Sequence, residues 1–509
     1  MNRSALQGWP GDLAALGVGA VSVLAFAPFD VWPLAIVCPA LLFALWCGCS
    51  ARRAAWRGFL YGAGEFLAGI YWIVVAISGI GSGPWWLGIL LYVLLALCCA
   101  VFPGVLGYLA RRAAPGPGLV WLLLLPAGWT LGEWVRSFAL TGFPWLALGY
   151  SQATLPFGGY APVLGLYGAS LACVLAAVLL LWLLSLQRRW VARGGALAGL
   201  IAVFALGAGL GQIAWTQPSG PPFEISLVQG NIEQATKWNP GQFRSSIEKY
   251  VQLSRPHLAS DVIVWPENAI SGWYMNALPF LTDFVQNARD HGTALAFGSP
   301  LYNQQTGEAF ATVVSLVPKP GAYLKRHLVP FGEYFPVPDW IKSWLAAHML
   351  PYSSFTPGPW EQPPLAIGKW QAAVALCYEI AFGRLLITQL PEADFILNPS
   401  DDGWFGRTIA MDQQFQMAQL AARETGRYVA AATDSGITAI IDARGEVLAR
   451  LPAHEVGVLT GRVVPYGGMT PYVRWGNWFV VSLCTGLFIL AFAQAFRRRR
   501  ARRRSPPPG

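Results

Sequence analysis

Long apolar runs fill residues 1–216 and about 475–497 of this chain, and nothing else in it restricts the fold as strongly. A helix needs roughly 20 apolar residues to cross the hydrocarbon of a bilayer. Eight stretches come near that length: about 11–28, 31–48, 55–80, 84–110, 118–137, 160–186, 196–216 and 476–496. The first two are the shortest, and the tight turn Ala27-Pro28-Phe29-Asp30 joins them. With 55% hydrophobic and 12% charged residues and a mean hydropathy of +0.44, the composition is that of a membrane protein rather than one large soluble core. The N-terminal stretch has one Arg, an Asp at position 12 and a second span almost at once, which is not the layout of a cleaved signal peptide. Residues about 220–470 hold nearly all the Lys, Asp, Glu and His and suffice for one independent domain. The chain therefore divides into a seven-span region at 1–217, a polar domain at 218–470, a final span at 471–497 and an Arg/Pro-rich tail at 498–509.

Positive charge sets the expected orientation. Arg52, Arg53 and Arg57 follow the second span, Arg111 and Arg112 the fourth, Arg188, Arg189 and Arg193 the sixth. Arg497 to Arg500 and Arg502 to Arg504 follow the eighth. Basic clusters thus fall on every second connection, which places both termini in the cytoplasm and the polar domain outside. Setting aside these arginines and Arg3 leaves 19 Lys and Arg against 26 Asp and Glu, so the pI of 9.2 reflects topology and not a nucleic-acid-binding face. The tail acts as a stop-transfer anchor or as a contact for anionic headgroups.

Of eight cysteines, only Cys377 lies in the polar domain, so an internal disulfide there is excluded. The histidines, His257, His291, His327, His348 and His454, are scattered without a metal-ligand spacing, and no metal or other cofactor is expected. Alternation or apolar runs predict strands at 224–229, 261–265, 293–298, 311–317, 321–325, 372–376, 394–397, 428–433, 437–441 and 446–450. Helical spacing marks 241–257, 278–290 and 407–426. Strands interleaved with helices predict a layered α/β domain.

Three polar residues end or interrupt the strands. Glu267 follows Val262-Ile263-Val264-Trp265-Pro266. Lys325 follows Ala322-Tyr323-Leu324. Cys377 follows Val374-Ala375-Leu376 at a strand-to-turn elbow, in Ala375-Leu376-Cys377-Tyr378-Glu379. C-terminal strand ends in an α/β domain share one rim, where sites form. A carboxylate, an ammonium and a thiol can together run acyl transfer: the carboxylate takes the thiol proton, the sulfur attacks a carbonyl, and the lysine stabilises thiolate and oxyanion. Positive charge nearby is expected to lower the thiol pKa. Taken singly, each residue also fits a plainer role. Cys377 fits a buried structural thiol, Glu267 a turn or cap, and Lys325 beside Arg326 a solvated edge charge.

The blocks Trp265-Pro266-Glu267-Asn268, Leu324-Lys325-Arg326-His327-Leu328-Val329-Pro330-Phe331-Gly332-Glu333-Tyr334-Phe335-Pro336 and Cys377-Tyr378-Glu379 resemble the three catalytic blocks of the nitrilase superfamily. More narrowly, the whole chain is similar to the apolipoprotein N-acyltransferase family of bacteria. Val228-Gln229-Gly230-Asn231-Ile232, Lys237-Trp238 and Asp402-Gly403-Trp404-Phe405-Gly406 carry that narrower resemblance. It implies an αββα sandwich on a multi-pass helical bundle in the bacterial inner membrane, with the sandwich in the periplasm. It implies Glu267 as general base, Lys325 as oxyanion stabiliser, Cys377 as nucleophile and Glu333, Tyr378 and Glu379 as supporting residues. Trp238 matches an aromatic near the acyl site, and Trp404, Phe405 and Tyr150 match other substrate-side positions. The implied reaction moves an acyl chain from a phospholipid, the sn-1 chain of phosphatidylethanolamine, to Cys377 as a thioester. The N-terminal amine of an S-diacylglyceryl-cysteine apolipoprotein then accepts it. A domain resting on the membrane would keep out water, the competing acceptor.

The chain departs from the family pattern in places. Asp401 stands where Asn is usual in Ser400-Asp401-Asp402-Gly403, and Asp434 where Asn is usual in Thr433-Asp434-Ser435-Gly436. Gln413-Gln414-Phe415 replaces a more usual Gln-His-Leu. These departures bear on the acceptor pocket and leave the triad intact. Within the membrane region, Glu65 lies inside the third span, and Glu133 and Arg136 read as an internal ion pair or as interfacial snorkelling residues. Thr141-Gly142-Phe143-Pro144-Trp145 and Gly149-Tyr150-Ser151-Gln152 read as part of lipid entry or as an aromatic belt, and segments 329–338 and 349–360 as lids. Two other functions fit the same residues: a membrane-anchored amidase that gives its thioester to water, and a lipid-binding scaffold without catalysis.

Overall fold

The computed structural model describes residues 8–80, 84–185, 189–239, 241–334 and 355–504. Arg188, His348 and parts of the two anticipated lids, residues 335–338 and 349–354, lie outside the described residues, as does part of the C-terminal tail. Two compact units emerge. One comprises Met1–Tyr71, Leu90–Ile213 and Trp475–Gly509, the other Trp72–Ile89 and Ala214–Arg474.

The first unit is helical. Four helices among the described residues are long and apolar enough to cross a membrane: Trp85–Ala113, Pro156–Leu184, Trp190–Leu210 and Trp478–Arg500. The anticipated third span is a pair, Ala51–Gly69 and Trp72–Ser78, bent by 50°. The first two anticipated spans are the shorter apolar helices Trp9–Ala25 and Leu34–Trp46. The anticipated fifth is the 18-residue helix Leu119–Arg136, whose last turn carries Glu133 and Arg136. Small residues let the helices approach closely. A Cβ on Gly19 would stand 1.9 Å from the Tyr61 carbonyl oxygen, and one on Gly64 would stand 2.1 Å from that of Leu16. Asp12 takes the Arg57 guanidinium at 3.0 Å and that of Arg53 at 2.5 Å. These arginines are therefore packing groups as well as charge signals.

Glu133 and Arg136 do not pair with each other as expected. Both are buried, and each holds the segment that follows the helix. Glu133 Oε1 accepts from Leu148 N at 3.0 Å and from Trp129 Nε1 at 2.9 Å. Arg136 donates to the carbonyls of Phe143, at 3.0 Å, and Trp145. A buried irregular segment needs partners for its backbone groups, and these two side chains supply them.

The second unit is built on two six-stranded sheets. The strands run β1 (Gln217–Pro218), β2 (Phe223–Gln229), β3 (Val262–Val264), β4 (Ala294–Asn303), β5 (Glu308–Ser315), β6 (Gly321–Leu324), β7 (Leu365–Ile367), β8 (Trp370–Val374), β9 (Phe395–Ser400), β10 (Val429–Thr433), β11 (Thr438–Ile441), β12 (Val447–Leu451), β13 (Gly457–Val463) and β14 (Tyr466–Gly467). One sheet has the order β13-β2-β3-β4-β5-β6 and the other β12-β11-β10-β9-β8-β7, while β1 and β14 form a small ribbon. The strand phase separates two cores. Ile225, Leu227, Val262, Val264, Ala372, Val374, Leu376 and Leu397 meet between the sheets. Val228, Ile263, Trp265 and Leu295 face the other way, toward Ile247, Tyr250, Leu281 and Phe284 of helices Gln242–Ser254 and Tyr274–His291. Helix Ala410–Thr425 packs on β10 and β11 of the other sheet, completing an αββα sandwich. The predicted strands are present with shifted ends. Sequence patterning stops at 450 and misses β13, an edge strand whose two glycines weaken the apolar alternation.

Candidate active site

The ends of β3 in one sheet and of the parallel β8, β9 and β10 in the other meet, as the bond from Asp401 N to Glu267 Oε2 at 3.1 Å shows. Trp265, stacked on Tyr250 with ring centroids 5.3 Å apart, anchors the exit of β3. The chain then turns through Pro266 and Glu267 into Asn268, whose φ is +52°. Gly298 of β4 makes room for this turn, since a Cβ there would meet Glu267 Cα at 2.5 Å. β8 ends at Val374, and Cys377 follows with φ +52° and opens the 3-10 turn Cys377–Ala381. The predicted elbow is therefore present, in a left-handed conformation that costs a non-glycine residue about 1 kcal/mol or more. Asn398 Nδ2 of β9 steadies it by donating to the carbonyls of Ala375, at 2.6 Å, and Cys377, at 3.3 Å.

Lys325 follows β6 and is buried, not a solvated edge charge. Its Nζ lies 3.0 Å from Glu267 Oε1 and 2.7 Å from Glu333 Oε1. Glu333 Oε2 accepts from Val329 N at 2.7 Å. Glu267 Oε2 accepts from Asp401 N at 3.1 Å, so both oxygens of this carboxylate are held. Burial would lower the Lys325 pKa, but Glu267 and Glu333 outweigh it and keep the ammonium well above the ordinary lysine range. Burial raises the Glu333 carboxyl against the pull of Lys325.

The Cys377 thiol corrects one expectation. Burial pushes it well above its ordinary range and Glu267 pushes it further, while Lys325 pulls the other way and loses. The sulfur therefore rests as a thiol. The nearby lysine does not offset burial, and Glu267 adds to it.

Glu379 supports the site from behind. Its Oε1 accepts from the backbone N–H of Arg326 at 2.8 Å and His327 at 3.0 Å. Its Oε2 accepts from Leu376 N and Tyr323 Oη, both at 2.9 Å. One carboxylate thus ties the Lys325 segment to the Cys377 elbow. Arg326, also buried, donates to the carbonyls of Leu385 at 2.6 Å and Trp360 at 2.9 Å. Tyr378 lies over Phe382, with centroids 4.9 Å apart.

The aromatic candidates distribute unevenly. Trp238 caps the short helix Gln234–Lys237, and Trp404 and Phe405 lie in the turn Asp402–Phe405 after β9. Phe405 meets Trp72 edge-on at 4.9 Å, which brings the segment after the 50° bend into this unit. Tyr150 lies in the helical unit, buried in the 3-10 turn Leu148–Gln152. Sequence reasoning tied Asp401 and Asp434 to the acceptor pocket and gave Lys237 no role of its own, and it did not foresee that the three meet. Lys237 Nζ lies 2.8 Å from a carboxylate oxygen of each of the two aspartates. Among the described residues no cluster of His, Cys, Asp and Glu suits a metal ion.

A family model described as carbon-nitrogen hydrolase matches residues 224–467, the stretch that holds Glu267, Lys325 and Cys377. The model for the apolipoprotein N-acyltransferase N-terminal domain covers residues 18–179. The apolipoprotein N-acyltransferase of Methylococcus capsulatus is 38% identical over 493 residues, 96% of this chain and 97% of the relative. The chain belongs to the apolipoprotein N-acyltransferase family. The Azotobacter vinelandii member is 40% identical over 98% of both chains. The Coxiella burnetii member is 37% identical over 94% of this chain and 99% of the relative. Membership makes this chain a membrane-bound acyltransferase with a carbon-nitrogen hydrolase domain. The aspartates at 401 and 434 both face the same lysine.

Proposed function

We propose that this protein N-acylates apolipoproteins by a two-step, ping-pong reaction through a thioester on Cys377. The observation that carries this reading is the meeting of Glu267 and Lys325 at 3.0 Å beside the buried Cys377 elbow, in a chain of this family. In the first step Cys377 Sγ attacks the acyl ester carbonyl of a phospholipid, with the sn-1 chain of phosphatidylethanolamine as donor. Glu267 takes the thiol proton. Burial disfavours a free thiolate, so the proton moves to Glu267 as the sulfur attacks. Lys325 stabilises the tetrahedral oxyanion. The intermediate collapses, Glu267 returns the proton to the departing glyceryl oxygen, and lysophospholipid leaves.

In the second step the neutral amine of an S-diacylglyceryl cysteine attacks the thioester. Glu267 removes a proton from the amine, and the leaving sulfur is reprotonated as the amide forms. Glu333 holds Lys325, and Glu379 and Tyr378 hold the elbow. Trp238, Trp404 and Phe405 line the acyl chain, and Tyr150 serves lipid entry. Eight spans, both termini in the cytoplasm and a periplasmic domain at 218–470 complete the reading, which places the protein in the bacterial inner membrane.

Acyl-thioester trapping tests it. Purified protein in detergent is incubated with phospholipid carrying a labelled acyl chain and then treated with neutral hydroxylamine. Hydroxylamine-labile label on wild type, none on Cys377→Ser, and transfer of that label to a diacylglyceryl peptide are expected. Absence of label on wild type across several lipids and detergents would sink the thioester mechanism. Release of free fatty acid without acylated peptide would point to hydrolysis instead.

A further inference from the structure

Behind Glu267 lies a buried ion cluster that the proposed reaction does not use. Lys237 is fully buried, and its Nζ lies 2.8 Å from Asp401 Oδ2 and 2.8 Å from Asp434 Oδ2. Asp434 Oδ1 accepts from Tyr250 Oη at 2.6 Å and from Ile232 N at 3.3 Å. Gln234, one turn before Lys237, donates to Asp401 at 3.2 Å when its amide nitrogen faces the carboxylate, and its oxygen then accepts from Trp404 Nε1 at 3.1 Å. Asp401 directly follows β9 and Asp434 directly follows β10, two parallel neighbours. One ammonium therefore bolts the ends of two adjacent strands to the helix Gln234–Lys237.

Stability alone is a weak reason for such a cluster. Burying ion pairs costs about as much desolvation as their attraction returns. Its placement suggests another reason. The Asp401 backbone N–H donates to Glu267 Oε2 at 3.1 Å, while Lys325 takes Oε1 at 3.0 Å. If the 401 backbone shifted, one oxygen would lose its donor, and the carboxylate could swing about its contact with Lys325. A base displaced by about 1 Å loses much of its effect.

We propose that Lys237 is a positioning residue for Glu267: by gripping Asp401 and Asp434 it fixes the Asp401 N–H against Glu267 Oε2 and so sets the orientation of the base. This rests on the assignment of Glu267 as general base. Lys237 touches no reacting atom, and its effect passes through the 401 backbone.

The test measures Cys377 thioester formation from labelled phospholipid in single turnovers at several donor concentrations, using the full-length protein in detergent. Lys237→Met is expected to lower the maximal acylation rate roughly 10- to 100-fold, no more than the roughly 100-fold lower limit of a general-base contribution, because the base is misaligned and not removed. The half-saturating donor concentration should stay within about threefold. In a Glu267→Gln background the same substitution should add less than about twofold, because two residues acting through one group are not additive. A merely structural lysine would lower the rate in both backgrounds. A wild-type rate in folded Lys237→Met, or an additive loss in the Glu267→Gln background, overturns the proposal. A wild-type rate in Glu267→Gln alone would instead remove the base assignment, so the two failures are distinguishable. Should Lys237→Met not purify as folded protein, Asp401→Asn leaves Lys237 paired with Asp434 and carries the same cycle. A rate about three- to tenfold lower is then expected, with less than about twofold further loss when Asp401→Asn is added to Glu267→Gln, and an unchanged rate overturns the proposal.

Discussion

Glu379 accepts the backbone N–H of Arg326 at 2.8 Å across 53 residues of sequence, and this bond sets the distance between two parts of the site. Arg326 immediately follows Lys325, and the same carboxylate holds Leu376, immediately before Cys377. Four donors converge on Glu379, and burial raises its carboxyl while those backbone donors work to keep it ionised. Glu379→Gln turns an amide NH2 toward donors. Loss of about 2–4 kcal/mol of stability and a large fall in thioester formation are expected. Denaturant or thermal melts beside thioester trapping check this, and a stable, active variant would show the carboxylate to be dispensable.

The resting thiol gives a prediction with opposite signs for two variants. Glu267 raises the Cys377 pKa and Lys325 lowers it, behind the larger effect of burial. Glu267→Gln should therefore label faster at Cys377 with iodoacetamide at pH 8, although it acylates more slowly. Lys325→Met should label more slowly than wild type. Peptide mapping by mass spectrometry separates Cys377 from the other seven cysteines. Equal labelling of all three proteins would contradict the electrostatic account.

Asp402 supplies a pH dependence of stability. Burial, followed by Asp401 and Glu267, raises its pKa from 3.8 to about 8, so it holds a proton at neutral pH. A folded pKa above the unfolded value gives stability that is complete below about 3.8 and is lost as pH rises through about 8. Wild type should thus melt at a lower temperature at pH 9 than at pH 7. Asp402→Asn has no proton to lose there, and its melting temperature should fall less over the same interval.

Gly298 tests how closely β4 must approach Glu267. An alanine Cβ would meet Glu267 Cα at 2.5 Å and the Pro266 carbonyl oxygen at 2.7 Å, both backbone atoms that cannot simply rotate away. Gly298→Ala should cost about 1–3 kcal/mol and slow Cys377 acylation at least as much as a modest displacement of Glu267 would. Normal acylation in this variant would show that the turn tolerates movement.

Much of the architecture was legible because it depends on local pattern. The apolar runs mark membrane helices, alternation marks β2, β3 and β10, and the strand ends place Glu267 and Cys377. Length did not reveal the bend between Ala51–Gly69 and Trp72–Ser78, because hydropathy is blind to direction. It also could not show that Trp72 belongs with Phe405, whose ring it meets at 4.9 Å. Glu133 and Arg136 sit one turn apart and look like an ion pair, yet the carbonyls and N–H groups of 143–148 claim both.

By itself, the sequence determined the membrane character, the layered α/β domain and the strand-end positions of Glu267 and Cys377, since periodicity and strand ends are read within a few residues. Only the tertiary structure decided what surrounds those groups. The partners of Lys237 lie 164 and 197 residues away in the chain, so no spacing rule could pair them. Asp401 and Asp434 looked like two unrelated departures until folding put both carboxylates on one ammonium. The upward push on the Cys377 thiol likewise comes from burial and from Glu267 against Lys325, because a charge acts through distance and dielectric, which the sequence does not contain.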